Sequence, residues 1–467
     1  MKETFSIEEI LEISKGKLIS KKRDLSFSIP ALKVCTDTRL LKKGDFFVAL
    51  KGKFFDGHSF VKEAYKRGAS GALVSQVPSP LPDDFFLIYV KDTLYALQEL
   101  SRHYRERASI PFIAITGSNG KTTVKEMCFE IIFRDRPLLK SKGNFNNQIG
   151  VPLSLLKLSS HHQAAVLEMG MNSPGEIHRL AEIIQPDIGV ITNIHHSHIG
   201  FFKDIEEIKE AKAELIPFLN RNKRNYLILN GDNKWTNSLK ERVECKLITF
   251  GLGPYNDVRA KNIREREKGI SFTLHWRKER IPVYLSVPGK YNVYNALCAI
   301  AVAISLKISF DKIILALANF KLPPLRTEII SLKEGKLIND SYNANPESML
   351  MALNLLKEIK GNRKIAVLGD MLELGEKSSW FHSIIGERVA ELGIDILFTL
   401  GPLSKEMSKE ARKRGVREVF SFEERDKLLD KLLACYRVGD SILIKGSREM
   451  RMEEIAEGVK INLCSPS

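Results

Sequence analysis

Residues 110–123 read IPFIAITGSNGKTT, an apolar run that leads directly into glycines, a lysine and two threonines. The β-branched residues of 110–115 predict a buried strand, and the VKEMCFEIIF segment that follows has the periodicity of a helix. A strand, a glycine-rich loop and a helix in this order are typical of a phosphate-binding loop. Ile115 stands where a full Walker loop has its first glycine, so this is the shorter TGxxGKTT form.

Each residue type in this loop suits a polyphosphate ligand. Glycines allow backbone N–H groups to turn toward phosphate oxygens, and the helix start adds the positive end of its dipole. Lys121 supplies a cation, and Thr122 offers a hydroxyl ligand to Mg²⁺. The alternative is a glycine-rich turn that binds no ligand. We predict a nucleotide-binding loop made of Gly117, Ser118, Asn119, Gly120, Lys121, Thr122 and Thr123.

The composition is that of a soluble globular protein with several domains. At 467 residues the chain is too long for one hydrophobic core, which suggests about two to four domains. The formal net charge is +15, and a basic surface attracts nucleic acid, anionic membranes or small anions. Because the lysines and arginines are spread along the chain, we expect a solvated basic surface rather than a nucleic-acid site.

The cysteines and the N-terminus indicate the compartment. The six cysteines lie far apart without any CxxC pair, so neither a zinc site nor a disulfide framework is predicted. The N-terminus lacks the apolar core of a signal peptide, and the longest apolar stretch, residues 296–306, is too short to span a bilayer. We expect a cytoplasmic protein without a membrane span.

Strand-like and helical segments alternate along the whole chain, which predicts an α/β fold. We expect three domains, at residues 1–107, 108–320 and 321–467. The apolar runs AAVLE (164–168) and IGVIT (188–192) lack alternation, which is typical of parallel strands covered on both faces. The middle domain is therefore predicted to be a doubly wound parallel sheet that carries the phosphate loop.

Two further stretches complete this organisation. Residues 269–287, GISFTLHWRKERIPVYLSV, alternate in a way that predicts an inserted β-hairpin before a helix at 293–306. After Pro323 and Pro324 the alternation of strands and helices resumes, which predicts another open α/β layer. Because pockets favour domain interfaces, we expect the ligand to lie between domains.

Polar residues follow the predicted strands of the middle domain. Glu168, Asn193 and Asn230 stand at or just beyond the C-terminal ends of three strands, where parallel sheets bind ligands. Glu168 is predicted to ligate Mg²⁺, and the alternative is an exposed carboxylate at a strand end. The segment TNIHHSHIGFF holds three histidines whose spacing lacks the other ligands of a zinc site. We expect one of them to serve a magnesium or phosphate site.

Other candidates have ordinary interpretations when the pattern is taken alone. Lys212 fits a helix lysine that pairs with glutamate, and Asn295 fits a helix cap. Arg326 and Asp340 stand in turn-rich loops, where they suit a phosphoryl group and a ribose or substrate, or simply surface turns.

The segment 37–60, DTRLLKKGDFFVALKGKFFDGHSF, clusters hydroxyl and basic groups around an apolar strand. Such a cluster suits a diphosphate, although solvated turns have the same appearance.

Taken together, segments along nearly the whole chain resemble the Mur ligase family. The resemblance is closest to the members that join D-Ala-D-Ala to UDP-N-acetylmuramoyl-tripeptide. The segments are TGSNGKTT, GNFNNQIGVPLSLL, VLEMGMNSPGEI, TNIHHSHIGFF, EAKAEL, LNGDN, YNVYNALCAIAVA, PPLRTE, NDSYNANPESM, VLGDMLELG and KGSREMRMEEI, with the opening DTRLLKKGDFFVALKGKFFDGHSFV.

The resemblance implies a three-domain α/β architecture, with a central phosphate-loop domain and a Rossmann-like C-terminal domain that binds ATP and D-Ala-D-Ala. It also implies ATP-dependent amide formation in peptidoglycan precursor synthesis. The γ-phosphoryl group would convert the substrate carboxylate into an acyl phosphate, from which the amine of D-Ala-D-Ala displaces phosphate. Two Mg²⁺ ions and a monomeric enzyme are expected, without a nucleic-acid partner and without a membrane span.

By the same resemblance, Lys121 would hold the β- and γ-phosphates, while Thr122 and Glu168 would ligate one Mg²⁺. His198 would help to hold a second Mg²⁺, supported by a carbamate formed on Lys212. Family members commonly have Gly-Pro-Ala before the metal-site histidine, whereas this chain has His195, His196 and Ser197. The register still favours His198. The substrates and nucleotide would be contacted by Asn295 (adenine), Arg326 (phosphates), Asp340 (ribose), Asn146 and Asn147 (muramoyl peptide), and Thr38 and Arg39 with nearby lysines (uridine diphosphate).

Three alternatives remain at the level of sequence. The chain would also fit another Mur ligase, or a folylpolyglutamate synthetase-like amide ligase, which shares the loop but lacks a domain before it. From a different class, a phosphate-loop ATPase that binds nucleic acid would account for the positive charge. It would require clustered basic and aromatic residues.

Overall fold

The computed structural model describes residues 1–19, 28–52, 55–80, 85–197, 199–266, 269–332 and 334–463. These residues form successive α/β units, which we name the first, central and third units. The first unit has a short antiparallel pair, β1–β3, and a sheet in the order β2-β7-β6-β5-β4. Its elements are β1 (Thr4–Ser6), α1 (Ile7–Ser14), β2 (Lys17–Ile19), β3 (Ser28–Pro30), β4 (Val34–Cys35), β5 (Phe46–Val48), α2 (Val61–Lys66), β6 (Gly71–Val74), β7 (Phe86–Tyr89) and α3 (Thr93–Glu106).

The central unit is built on a long sheet in the order β16-β15-β14-β13-β12-β11-β8-β10-β9. Neighbouring strands from β9 to β14 run parallel, and β15 and β16 add an antiparallel meander at one end. Its strands are β8 (Phe112–Thr116), β9 (Leu138–Lys140), β10 (Ala164–Glu168), β11 (Ile188–Ile191), β12 (Tyr226–Asn230), β13 (Lys246–Gly251), β14 (Val258–Arg266), β15 (Gly269–Trp276) and β16 (Glu279–Leu285). Its helices are α4 (Lys121–Phe133), α5 (Gly150–Leu155), α6 (Glu176–Ile184), α7 (Ile205–Ala213), α8 (Ile216–Asn220), α9 (Lys234–Asn237), α10 (Tyr291–Ser305) and α11 (Phe310–Ala318).

The third unit has a parallel sheet with one antiparallel edge strand, in the order β17-β18-β22-β19-β20-β21. Its strands are β17 (Glu328–Ser331), β18 (Lys336–Asn339), β19 (Lys364–Gly369), β20 (Ile396–Leu400), β21 (Glu418–Phe422) and β22 (Ser441–Lys445). Its helices are α12 (Pro346–Glu358), α13 (Ser378–Glu391), α14 (Lys405–Lys413), α15 (Arg425–Cys435) and α16 (Met452–Leu463).

Helix α3 fastens the first unit to the central one, because it packs on α5 and α6. The buried Gln98 amide donates to the main-chain oxygen (3.1 Å) and the side-chain oxygen (2.9 Å) of Gln148. The Arg105 guanidinium donates to the Ile184 carbonyl at 2.6 Å and lies over the Phe112 ring. These contacts hold the start of α5 and the first strand of the central sheet against the first unit.

The predicted α/β class and the parallel central sheet are confirmed. The predicted hairpin exists as β15–β16, but it pairs with β14 and thereby extends the central sheet. Short strands such as β9 and the edge strand β17 were not predicted, because three or four residues carry little periodicity. Of the helices in the described residues, none is long and apolar enough to cross a bilayer.

Candidate active site

The phosphate loop connects β8 to α4 at the middle of the central sheet. Gly117 has φ +144°, and a Cβ atom there would lie 1.9 Å from the Thr192 hydroxyl, so no other residue fits. Helix α4 begins at Lys121 without a side-chain cap. The first N–H groups of a helix have no helical partners, so those of α4 can donate to an anion.

Residues after β11 hold this loop in place. The N–H groups of Ser118 and Asn119 donate to the main-chain and side-chain oxygens of Asn193, each at 2.9 Å. The Thr192 hydroxyl donates to the Asn119 carbonyl at 2.6 Å, and the Ser118 hydroxyl pairs with the backbone of His195. The predicted polar residue at this strand end, Asn193, thus shapes the loop.

Lys121 folds back over the loop that precedes it. Its Nζ donates to the carbonyls of Gly117 at 2.8 Å and Ser118 at 3.3 Å. Burial lowers the pKa of the Lys121 ammonium, while the Glu168 carboxylate opposes that shift. The cation is thus held inside the loop, where it can face a phosphate.

Glu168 ends β10 inside the protein, with 2% of its surface exposed. The Thr122 hydroxyl donates to one carboxylate oxygen at 2.9 Å, and the Asn146 amide donates to the other at 2.9 Å. A buried carboxylate beside a hydroxyl is an oxygen donor set of the kind that Mg²⁺ prefers. The alternative of an exposed strand-end carboxylate is therefore wrong.

Lys125 is a buried residue of the site that the sequence interpretation missed. Its Nζ donates to the carbonyls of Ser141 at 2.9 Å and Gly143 at 3.2 Å, and lies 3.9 Å from the Glu168 carboxylate. Lys125 follows Lys121 by one helical turn, so their shared face of α4 was the available signal. It ties the loop after β9 to the carboxylate.

Lys212 lies on α7 and is 3% exposed, so its interpretation as a solvated lysine paired with glutamate is wrong. Burial lowers the pKa of Lys212 well below its ordinary value, and the nearby charge of Lys121 lowers it further. Burial thus favours the uncharged form of the Lys212 amine. His198, the predicted metal ligand in the neighbouring loop, lies outside the described residues.

The third unit supplies two contacts to the loop. The Arg326 guanidinium stacks on the Tyr342 ring at 3.9 Å and donates to the Thr122 hydroxyl at 3.0 Å. The Asn345 amide, which also caps α12, donates to the Asn119 side chain at 2.8 Å. The structure thus brings Arg326 next to the loop.

A cavity of about 260 Å³ opens beside the loop, between α10 of the central unit and α12 of the third. Asn295 lies in the second turn of α10, so its interpretation as a helix cap is wrong. Its Nδ2 atom donates to Asn292, and its Oδ1 atom would lie 2.4 Å from a Cβ atom at Gly120. The cavity is lined by Asn119, Gly120, Thr192, Asn193, His195, Asn230, Asp232, Asn233, Phe250, Tyr291, Tyr294, Asn295, Cys298, Glu347 and Met351.

Asp340 is held away from the cavity wall by its own partners. The Thr327 N–H donates to one carboxylate oxygen at 2.9 Å, and the Lys445 ammonium contacts the other at 2.5 Å. Lys445 ends β22 and was not singled out in the sequence.

The described histidines of the HHSH segment face the third unit. His195 Nδ1 lies 3.7 Å from the Glu347 carboxylate, and burial lowers the pKa of its imidazole. The ring of His196 packs against Phe381 with 5.6 Å between centroids. Across the described residues, no group of three or more His, Cys, Asp or Glu side chains is arranged to hold a metal.

The same segment continues into a backbone contact between units. The Gly200 N–H donates to the Glu373 carbonyl at 2.9 Å, and a Cβ atom at Gly200 would lie 2.7 Å from the Gly375 nitrogen. Only glycine allows this approach, so the two backbone segments meet without side chains between them.

The remaining predicted substrate residues lie farther from the loop. The Asn147 side chain accepts from the Gly150 N–H at 2.8 Å and thus supports the start of α5. In the first unit, Thr38 is buried, whereas Arg39 is exposed and forms a forked pair with Asp37. The structure does not bring these two residues together with the phosphate loop.

Comparisons with known proteins agree with this geometry. The family model described as Mur ligase middle domain matches residues 115–303, and that of the Mur ligase glutamate ligase domain matches residues 325–448. A UDP-N-acetylmuramoyl-tripeptide–D-alanyl-D-alanine ligase of Bacillus subtilis is 37% identical over 97% of both chains. Its Escherichia coli counterpart is 38% identical over 92% of this chain and 94% of its own.

Solved structures give the same result. The structure of MurF from Acinetobacter baumannii is 32% identical and covers 97% of this chain and 98% of its own, with a TM-score of 0.89. MurF ligase from Thermotoga maritima, in complex with ADP, is 28% identical over 92% of this chain and 98% of its own, with a TM-score of 0.82. A folylpolyglutamate synthase from Mycobacterium tuberculosis, at 15% identity and a TM-score of 0.62, shares the fold alone. The chain thus belongs to the Mur ligase family.

Proposed function

We propose that this protein is an ATP-dependent ligase that joins D-Ala-D-Ala to UDP-N-acetylmuramoyl-tripeptide in peptidoglycan precursor synthesis. The observation that carries the proposal is the convergence of two units on one loop. Lys121, Thr122 and Glu168 come from the central unit. From the third unit, Arg326 reaches Thr122 and Asn345 reaches Asn119 of the same loop. The relatives that match nearly the full length carry this activity in their names.

The reaction needs activation because a carboxylate is a poor electrophile. The γ-phosphoryl group of ATP moves to a carboxylate oxygen of the tripeptide, which gives an acyl phosphate and ADP. The amine of D-Ala-D-Ala then attacks the carbonyl carbon, loses a proton, and displaces inorganic phosphate. Lys121 and Arg326 lie where they can neutralise the phosphate oxygens during the transfer.

A divalent cation fits the Thr122–Glu168 pair, because a hydroxyl and a buried carboxylate 2.9 Å apart are oxygen donors. Mg²⁺ bound there would neutralise charge on the phosphates and polarise the phosphoryl group. We propose His198 and Lys212 for a second ion. Asn146 donates to Glu168 and keeps the carboxylate oriented.

The buried amine of Lys212 suits carbamate formation. Burial lowers its pKa and so favours the uncharged, nucleophilic amine, which can add to CO₂ with release of one proton. The product is an anion, which the nearby positive charge of Lys121 would attract. The neighbourhood that disfavours a cation at position 212 would therefore favour the proposed carbamate.

The other assignments remain proposals. Asn295 lines the cavity where we place adenine, and Asp340 would reach the ribose after exchanging its present partners. We propose that Asn146, Asn147, Thr38 and Arg39 contact the UDP-linked peptide. The proposed domain limits are 1–107, 108–320 and 321–467, and the proposed enzyme is a cytoplasmic monomer.

A direct assay tests the function. The protein is incubated with ATP, MgCl₂, D-Ala-D-Ala and UDP-N-acetylmuramoyl-tripeptide, in separate arms with meso-diaminopimelate or lysine as third residue. We expect the pentapeptide product together with one equivalent of phosphate in at least one arm. Phosphate release that does not change when either peptide substrate is left out would contradict the proposal.

The carbamate is tested by replacing Lys212 with Ala. We expect the rate to fall by at least about a hundredfold, because an anion that supports the metal site is lost. Added short-chain carboxylic acids should restore part of the rate by occupying the space of the carbamate. The matched control is Lys209→Ala on the same helix, since Lys209 is ion-paired with Glu206 near the surface. Failure of the acids to restore activity would speak against the carbamate.

A further inference from the structure

The three strands of the meander, β14, β15 and β16, have one face that the proposed ligase function does not use. Their register places Arg259, His275 and Arg280 side by side in one row across the strands. The next rows contain Lys261 with Thr273 and Pro282, and Arg264 with Ser271 and Tyr284. We name these nine residues, together with Arg266 at the end of β14, the basic face.

The opposite face of the meander is packed. Phe272, Leu274 and Val283 point inward and belong to the same apolar cluster as α10 and α11. Because successive side chains of a strand alternate between the two faces, the basic face necessarily points away from this core. Lys261, Arg264 and Arg280 are exposed accordingly.

The ten positions of the basic face include no carboxylate. Five of them are lysine or arginine, and the exposed carboxylates of these strands, Glu265 and Glu279, stand at the alternate register positions opposite Ile270 and Trp276. Arg277 and Lys278 add two exposed cations in the turn between β15 and β16. Within the described part of the chain, none of these seven side chains forms an ion pair.

The cations are also close to one another. Partial burial lowers the pKa of the His275 imidazole, and the charges of Arg280, Lys261 and Arg259 lower it further. Three strands therefore concentrate positive charge around one ring. A protein gains little stability from unpaired like charges, so a partner of opposite charge is the natural counterpart of this surface.

We propose that the basic face docks the protein on an anionic lipid bilayer. A three-stranded sheet presents its charges in one shallow layer, so several of them can approach the headgroups of a flat surface together. Nucleic acid is the less suitable partner, because single strands need exposed aromatic platforms on which bases stack. The aromatic side chains of Phe272 and Trp276 belong to the inner face, so Tyr284 is the one Phe, Tyr or Trp among the ten residues of the basic face.

The proposal predicts binding to vesicles that contain phosphatidylglycerol and none to vesicles of phosphatidylcholine alone. The variant Lys261→Gln/Arg264→Gln/Arg280→Gln should bind about a hundredfold more weakly, since each surface cation contributes roughly a factor of five. Raising the salt to about 0.5 M should release the wild-type protein, because the Debye length then falls to a few ångström. Cosedimentation of the full-length protein with the vesicles measures each effect.

A matched variant controls for net charge. Lys409→Gln/Lys413→Gln/Lys427→Gln removes the same three charges from exposed helix positions in the third unit, where each lysine pairs with a glutamate. This variant should bind the vesicles as the wild type does. Both variants should retain the wild-type melting temperature and the wild-type ligase rate without vesicles, which excludes misfolding as the cause.

Three outcomes would overturn the proposal: equal loss of binding in both triple variants, no loss in the variant of the basic face, or no binding of the wild type to anionic vesicles. Displacement of the protein from vesicles by a single-stranded or duplex oligonucleotide at lower concentration than the lipid would identify nucleic acid as the partner instead. Such displacement would also overturn it.

Discussion

Replacing Lys121 with Met should lower the ligase kcat/KM by at least about a thousandfold, the scale seen when a charge on a transferring phosphoryl group is left unneutralised. The half-buried side chain donates to the carbonyls of Gly117 and Ser118, so it is held in position before the nucleotide arrives. Methionine keeps the length of the side chain and removes the charge. The loss should therefore appear in the rate rather than in the fold, and circular dichroism melting should be unchanged.

Lys142→Met is the matched control for this substitution. Lys142 is exposed in the loop after β9 and belongs to the same unit, so its loss removes the same charge from solvent. It should leave the rate within about twofold of the wild type, as is usual for surface substitutions. If Lys121→Met retained a rate within about tenfold of the wild type, the loop would not be the site of phosphoryl transfer.

The second large effect is expected for Glu168→Gln. Glutamine has the same shape and accepts the hydrogen bond from Thr122, but it lacks the negative charge that holds a divalent cation. We expect the Mg²⁺ concentration needed for half-maximal rate to rise by about a hundredfold, with partial recovery of turnover at high Mg²⁺. The measurement is a Mg²⁺ titration of the initial rate.

Recovery at high Mg²⁺ distinguishes weakened metal binding from misfolding. Glu182→Gln, on the exposed side of α6, is the control and should leave the titration unchanged. An unchanged Mg²⁺ dependence in Glu168→Gln would remove this carboxylate from the metal site, whatever its effect on the maximal rate.

The sequence predicted the part of the site that local pattern determines. The loop follows from the glycine, lysine and threonine spacing, and the position of Glu168 follows from the end of a continuous apolar strand. The phosphate loop and Glu168 each depend on a single strand and the residues at its end. Local pattern is sufficient there because the C-terminal edge of a parallel sheet collects such residues.

The burial of Lys125 and Lys212 could not be predicted from the local sequence pattern. Both side chains stand on helices with ordinary spacing, and their burial depends on loops that come from distant parts of the chain. The carbonyls that receive Lys125 follow β9, a strand of three residues that has too little periodicity to be recognised. Periodicity shows which residues share one face of a helix, but it does not show which other segments pack against that face.

The contacts between units were predicted only by resemblance. Nothing in the spacing of the PPLRTE segment places Arg326 on the Thr122 hydroxyl, since some two hundred residues separate them. Similarly, the glycine at position 200 has no local reason to be glycine. Its reason is the close approach of the backbone of Gly375, in the segment of the third unit that precedes α13.

The cavity beside the loop takes part of its wall from Glu347 and Met351 of α12, and the rest from the central unit. An inhibitor that fills it would touch both units and act as a molecular glue. Its affinity would then depend on the free energy of bringing the two units together. Chemically similar compounds that contact only the phosphate loop would leave the two units free to separate, and the protein would then be less compact. Small-angle scattering would separate these two kinds of compound by particle size before any inhibition is measured.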